Sequence, residues 1–447
     1  PVRPLGKDGR MVTGSSEHIR LSRTAAAEGM VLLKNEHQLL PLQKGSRVAL
    51  FGKASADYVK GGGGSGDVTV AYVRNLCDGM EEKENEGKLS VFAPLNEFYR
   101  ENVAQQHKAG KNPGYTTEPE VPAELLKQAA RECDTAIISI CRFSAEGWDR
   151  KGEPDDGDFY LSREEQRMVA DVTAAFRKVV VVLNVGGMVD TSWFAHNDKI
   201  FSVLLAWQGG MEGAMAEADI LCGDVTPSGK LTDTFAASFD DYPSSANFND
   251  SKDYVCYTDD IFVGYRYFET IPGAAEKVNY PFGFGLSYTS FSFSDMQVEK
   301  TGEGQQTSYD VSVKVTNTGD VAGKDVVQLY YSAPYTKGGI EKSAVDLGAF
   351  AKTKELKPGE SDEVKLTMTF DYKGTGAYVM GKGYYTFTLR TDSHTVKNDD
   401  ATFTYTVENT ITYDDAHDGK RSTDKVAATS QQEFQDAGSL ETNVTYL

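Results

Sequence analysis

The chain has 447 residues, 40% of them apolar and 11% aromatic, with a formal charge of −20. That length is comfortable for two or three domains, and the apolar content can give each a core. So acidic a balance argues against nucleic acid or an anionic membrane as partner and favours a soluble protein acting on a neutral or cationic small molecule.

In chain order, Ser15 and Ser16 can cap a helix running through HIRLSRTAAAEGMVLLKN. RVALFGKA (Arg47 to Ala54) then reads as a buried strand leading into the glycine-rich loop KGGGGSG. PAELLKQAARECD reads as a helix with Pro122 near its start, and it feeds the apolar strand DTAIISI. SREEQRMVADVTAAFR is a helix with Ser162 as N-cap and Glu165 three residues on, a capping box. KVVVVLNVGG and IFSVLLAW are continuous apolar runs of the kind buried on both faces of a parallel sheet, and GMEGAMAEADILCG is a helix rich in small residues. Strands alternating with helices predict an α/β layered domain over residues 1–286. After Tyr280–Phe291 the period changes to two, in YDVSVKVTNTG, DVVQLYYSAP, DEVKLTMTF and GYYTFTLRT, separated by Gly, Pro and Asn turns. That predicts an antiparallel β-sandwich over 287–407, and the polar remainder, 408–447, reads as a tail or linker.

Five cysteines (Cys77, Cys133, Cys141, Cys222, Cys256) are widely spaced with no CxxC, so reduced thiols are expected rather than a disulfide framework. The six histidines lack metal-ligand spacing, and neither a metal nor another cofactor is expected. PVRPLGKDGR holds no apolar signal-peptide core and no run is long enough for a membrane span, so a cytoplasmic location is expected.

Chemistry concentrates in RFSAEGWDRKGE (Arg142 to Glu153), just past the strand DTAIISI. Open α/β sheets place ligands outside the carboxyl ends of their strands. Glu146 lies between small residues, with Trp148 and Arg150 close behind. A glutamate beside an indole can have its pKa raised by desolvation, as a general acid requires. The competing reading is a solvated acidic loop, because Glu153, Asp155, Asp156 and Asp158 continue the run, and spacing alone favours it. KGGGGSGDV (Lys60 to Val68) would let a ligand approach the backbone, yet it matches no nucleotide fingerprint and is equally readable as a flexible loop.

Seven segments taken together resemble glycoside hydrolase family 3: AAAEGMVLLKNEHQLLPL, VALFGKASADYVKGGGGSG, SAEGWDR, WQGGMEG, ILCGDVTPSGKLTDTF, YPFGFGLSYTSF and VTNTGDVAGKDVVQLYYSAP. They occur in family order and cover about Thr24 to Thr391. The resemblance implies an (α/β)6-sandwich domain followed by a fibronectin type III-like β-sandwich. It implies that Glu146 is the general acid/base and that Ser65 contacts the sugar at the cleavage site. Gly64, Trp148 and Arg150 join Ser65 as substrate-binding candidates, Trp148 by stacking on the leaving-group sugar and Arg150 by holding the loop through Asp149 or nearby acids.

The chain departs from the family in one respect. No SDW string, which would mark the aspartate nucleophile of a (β/α)8 barrel, occurs in it. A retaining glycosidase needs two carboxyls ~5–5.5 Å apart, so the resemblance implies half of an active site. Its expected partners are a carbohydrate, a barrel domain or chain that follows the 408–447 linker in a permuted order (the alternative being the usual order, barrel first), and a second copy in a homo-oligomer. The expected activity is that of a retaining, exo-acting β-glycosidase, a β-glucosidase first and a β-xylosidase second. The non-enzymatic alternative is a carbohydrate-binding or scaffold fragment.

Overall fold

A computed structural model describes residues 9, 14–148, 150–248, 250–302, 308–368, 372–374, 377–397 and 401–413. It divides into two compact units, Pro1–Leu231 with Gly285–Thr289, and Thr232–Phe284 with Ser290–Leu447.

The first unit is built on a six-stranded sheet. Its elements run α1 (Ser16–Gly29), β1 (Val31–Asn35), β2 (Ser46–Phe51), α2 (Leu76–Asn85), β3 (Leu89–Val91), α3 (Ala93–Lys108), α4 (Ala123–Glu132), β4 (Thr135–Cys141), α5 (Arg163–Ala175), β5 (Val179–Asn184), α6 (Ser192–Ala195), β6 (Ile200–Leu205) and α7 (Gly213–Leu221). The order across the sheet is β1-β6-β5-β4-β2-β3, parallel except for β1. Every residue of β4 and β5 is buried, as continuous apolar runs require when helices cover both faces. Val48, Leu50, Ile137, Val180, Val182 and Leu204 face α1, α2 and α7 in one apolar cluster. Phe51 turns the other way and meets Phe176, just beyond α5, edge to face.

The helix expected to run through Asn35 stops at Gly29. Met30 is extended, and Val31–Asn35 pairs antiparallel with β6 instead. The VLL triplet suits either period, and a vacant sheet edge decides in favour of the strand. Both predicted serine caps exist: Ser15 accepts from the His18 amide at 3.3 Å, and Ser162 forms its capping box with Glu165.

The second unit is antiparallel. One sheet joins Ser361–Met368, Ser308–Asn317 and Phe291–Thr301; another joins Asp346–Lys352, Val326–Ser332, Gly383–Arg390 and Thr402–Val407. Alternate residues of both, among them Val311, Val313, Leu366, Leu329, Phe387 and Leu389, form one core. Ile411–Tyr413 pairs with Ala377–Met380, so strand pairing continues past Val407; residues 414–447 lie outside the described residues. Segment 232–284 clusters with this unit because Arg266 pairs with Asp346 at 2.8 Å and the Tyr265 hydroxyl accepts from the Leu347 amide at 2.9 Å.

Candidate active site

Strand order explains where the chemistry gathers. From β2 the chain moves outward to β3, then returns to β4 on the opposite side and continues to β5 and β6. The strand sequence therefore reverses between β2 and β4, and such a switch point opens a crevice at the carboxyl ends of the two strands. The glycine loop follows β2 and the Glu146 loop follows β4, so these two segments, 81 residues apart, meet there.

They meet through backbone first. The Gly63 amide donates to the Ser144 carbonyl at 3.0 Å. A Cβ on Gly63 would lie 2.8 Å from Ala145 Cβ and from the Phe143 ring, and one on Gly64 would lie 2.8 Å from Glu146 Cβ. Gly64 also has φ +69°, where a side chain is strained. The bare backbone is thus required by the neighbouring loop itself. Glu146 and Gly147 form the tip of a tight turn closed by the Trp148 amide on the Ala145 carbonyl at 2.9 Å, with Gly147 at φ +75°. At that tip the Ser65 hydroxyl donates to Glu146 Oε2 at 3.0 Å.

Glu146 and Trp148 are exposed, Trp148 by 52%. The indole meets Phe143 at 6.0 Å and Tyr115 at 5.9 Å between ring centroids, so three aromatics brace one side of the turn. Beside them opens a cleft of about 480 Å³ lined by Lys60, Gly63, Gly64, His107, Phe143 and Trp148, among others. Asp57, also on its wall, is buried and accepts from Thr116 Oγ1 at 2.5 Å and the Gly114 amide at 3.0 Å, with His107 Nε2 at 3.3 Å.

The acidic run after Glu146 behaves differently from Glu146. Asp155 pairs with Arg163, Asp156 with Lys151 and Asp158 with Arg150, whereas Glu146 takes its hydrogen bond from a neutral hydroxyl. Arg150 also donates to the Met188 carbonyl at 3.1 Å. Its acidic partner is Asp158; Asp149 lies outside the described residues. The structure therefore brings Ser65, Gly64, Glu146 and Trp148 together and sets Arg150 behind them, within the loop.

Sequence patterns did not reveal Asn184 at the end of β5. Its amide nitrogen donates to the Val59 carbonyl at 2.9 Å and the Trp207 carbonyl at 2.7 Å, while its oxygen accepts from the Val59 amide at 2.8 Å. One buried side chain thus ties the exits of β2, β5 and β6.

The domain description "Glycosyl hydrolase family 3 C-terminal domain" matches residues 30–288, and "Fibronectin type III-like domain" matches residues 325–393. Beta-glucosidase A of Butyrivibrio fibrisolvens is 50% identical over 431 residues, covering 88% of this chain and 51% of the relative. A beta-glucosidase of Ruminococcus albus is 38% identical over 415 residues, covering 88% of this chain and 41% of the relative. The chain thus spans about half the length of the curated relatives it matches, or less. Among solved structures, beta-glucosidase 3B from Thermotoga neapolitana in complex with α-D-glucose superposes with a TM-score of 0.80 at 34% identity, over 91% of this chain and 56% of that one. The chain belongs to glycoside hydrolase family 3 and carries the family's C-terminal α/β domain followed by a fibronectin type III-like β-sandwich.

Proposed function

We propose that this chain forms one half of the active site of a retaining, exo-acting β-glucosidase. Glu146 serves as general acid/base, and a (β/α)8 barrel from outside these 447 residues supplies the aspartate nucleophile. The observation that carries this reading is the Ser65–Glu146 hydrogen bond at the switch-point crevice, 3.0 Å long. It presents a carboxyl on a braced, exposed turn, as protonation of a glycosidic oxygen demands. The barrel aspartate attacks the anomeric carbon while Glu146 protonates the departing oxygen. Glu146 then takes a proton from the water that hydrolyses the glycosyl-enzyme. Trp148 stacks on the leaving-group sugar, Gly64 lets the terminal sugar approach the backbone, and Arg150 supports the loop.

Exposed Val68, Val73 and Tyr115, with Trp148, give the barrel an apolar surface to cover beside the crevice. The five unpaired cysteines, two of them buried, suit a reducing compartment, and we place the protein in the cytoplasm. No helix among the described residues is long and apolar enough to cross a membrane.

The test is reconstitution. These 447 residues alone should leave aryl β-glucosides intact, and adding a barrel-bearing polypeptide of the family should restore turnover. Substantial hydrolysis by a homogeneous preparation of the chain alone sinks the half-site reading.

Ser65→Ala removes a hydrogen bond to the neutral sugar, worth ~0.5–1.5 kcal/mol, so kcat/KM in the assembled enzyme should fall roughly two- to tenfold. Ser65 is exposed, and its loss should move the melting temperature of the chain very little. Unchanged kinetics with a large drop in melting temperature would make Ser65 a purely structural residue.

A further inference from the structure

Arg142 opens the loop that carries Glu146, and its side chain also closes it. Nε donates to the Asp158 carbonyl at 2.6 Å. Nη1 donates to the Cys141 carbonyl at 2.7 Å and Glu165 Oε1 at 2.8 Å. Nη2 donates to the Tyr160 carbonyl at 3.3 Å and Glu165 Oε2 at 2.8 Å. All five guanidinium N–H groups are therefore used inside the protein, on a side chain only 5% exposed. Glu165, the anchor at the far end, is itself fixed by its capping box with Ser162. The main chain of Arg142 is held as well: its amide donates to the Asn184 carbonyl at 3.1 Å, and its carbonyl accepts from Gln208 Nε2 at 3.2 Å.

Asp158 is the second fixed point. Its carbonyl takes the Arg142 bond, while its carboxylate takes Arg150 Nε and the Lys151 amide at 2.7 Å. The Phe159 amide returns to the Lys151 carbonyl at 3.1 Å, and the Phe159 carbonyl receives the Asp190 amide at 2.9 Å. Residues 150–160 are thus sewn to the base of the loop and to the segment after β5. What remains is a short arch with Glu146 at its tip, braced by the glycine loop and by Phe143 and Tyr115.

We infer that Arg142 and Asp158 form a clamp that sets the position of the Glu146 carboxyl for proton transfer without touching substrate. The inference rests on Glu146 being the acid/base. Proton transfer depends on the distance to the departing oxygen, and misplacement by an ångström can cost about a hundredfold. A lysine at 142 retains a cation for Glu165 but lacks the planar fork that reaches all three carbonyls and both carboxylate oxygens.

The experiment compares Arg142→Lys, Asp158→Asn and Glu146→Gln in the enzyme assembled from this chain and its barrel. Substrates are β-glucosides whose leaving groups run from dinitrophenol to an unactivated alcohol. Arg142→Lys should lower kcat/KM about 30- to 100-fold for the unactivated leaving group and less than threefold for dinitrophenol, with azide accelerating turnover of the latter. Asp158→Asn should give the same pattern at about a tenfold loss. In the chain alone, the Trp148 amide, which closes the turn at the tip, should exchange its hydrogen faster in both variants.

Equal losses for every leaving group would show a residue that only maintains the fold and would overturn the clamp. So would wild-type behaviour in both variants while Glu146→Gln keeps its leaving-group dependence. A Glu146→Gln enzyme without that dependence removes the acid/base assignment itself, a distinct failure. If Arg142→Lys does not fold, Asp158→Asn, altered nearer the surface, decides the matter.

Discussion

Glu146→Gln, in the assembled enzyme, is expected to reduce kcat/KM on cellobiose-like substrates by about 10²–10⁴-fold. The glutamine retains an oxygen for the Ser65 hydroxyl but has no acidic proton for the departing sugar. A dinitrophenyl glycoside needs little protonation, so glycosyl-enzyme should still form at close to the normal rate. Its hydrolysis then stalls for want of a base, which should appear as a burst followed by slow turnover with a lowered KM. Azide, a nucleophile that needs no deprotonation, should restore turnover and release glycosyl azide of retained configuration. Wild-type rates on cellobiose would remove Glu146 from the mechanism. The same pattern in Glu153→Gln would move the assignment along the loop, although Glu153 lies beyond the turn that Ser65 and the glycine loop brace.

The two kinds of β-strand were legible because burial leaves a direct imprint on sequence. VVVVLN is apolar throughout since both faces are covered, and YDVSVKV alternates since one face is covered. Helix caps were legible for a similar reason: Ser162 and Glu165 act three residues apart. Val31–Asn35 was misread because its apolar triplet suits helix and strand alike, and the vacant edge beside β6 is not a local property.

The site was legible only in part. Glu146 and Ser65 stood out through resemblance, but their adjacency depends on β2 and β4 being neighbours although β3 intervenes in the chain. Nor could spacing reveal the Arg142–Glu165 pair: the capping box marked Glu165 but not its partner, which lies across a loop. The glycines carried a signal whose direction was hidden, since at Gly63 and Gly64 the close approach seen is that of the Glu146 loop.

Glu217→Met should stabilise the first unit, by an amount that grows with pH. All nine residues of α7 are buried, and Glu217 is 1% exposed with Oε1 lacking a hydrogen-bond partner among the described residues. Burial pushes its carboxyl up to about 8, from an ordinary value of 4.5. The sign follows from proton counting. Between these two values the folded state holds the proton and the unfolded state has released it, so stability falls as pH rises across the window. At ~1.36 kcal/mol per pH unit, the loss from pH 4.5 to 8 is roughly 5 kcal/mol. Above pH 8 both states are ionised and this contribution levels off. Glu118, which burial raises to about 7, adds a dependence of the same sign; the difference between wild type and Glu217→Met isolates Glu217. Methionine is unbranched, of similar size and adaptable to the space the carboxyl leaves. Trp148, Trp193 and Trp207 all lie in the first unit, so tryptophan fluorescence in urea follows that unit alone. At pH 5 the two proteins should unfold at similar urea concentrations; at pH 8 the variant should resist several kcal/mol longer. Unfolding curves that stay a constant distance apart from pH 5 to 8 would show that Glu217 is ionised in the folded protein and paired with a group that α7 does not reveal.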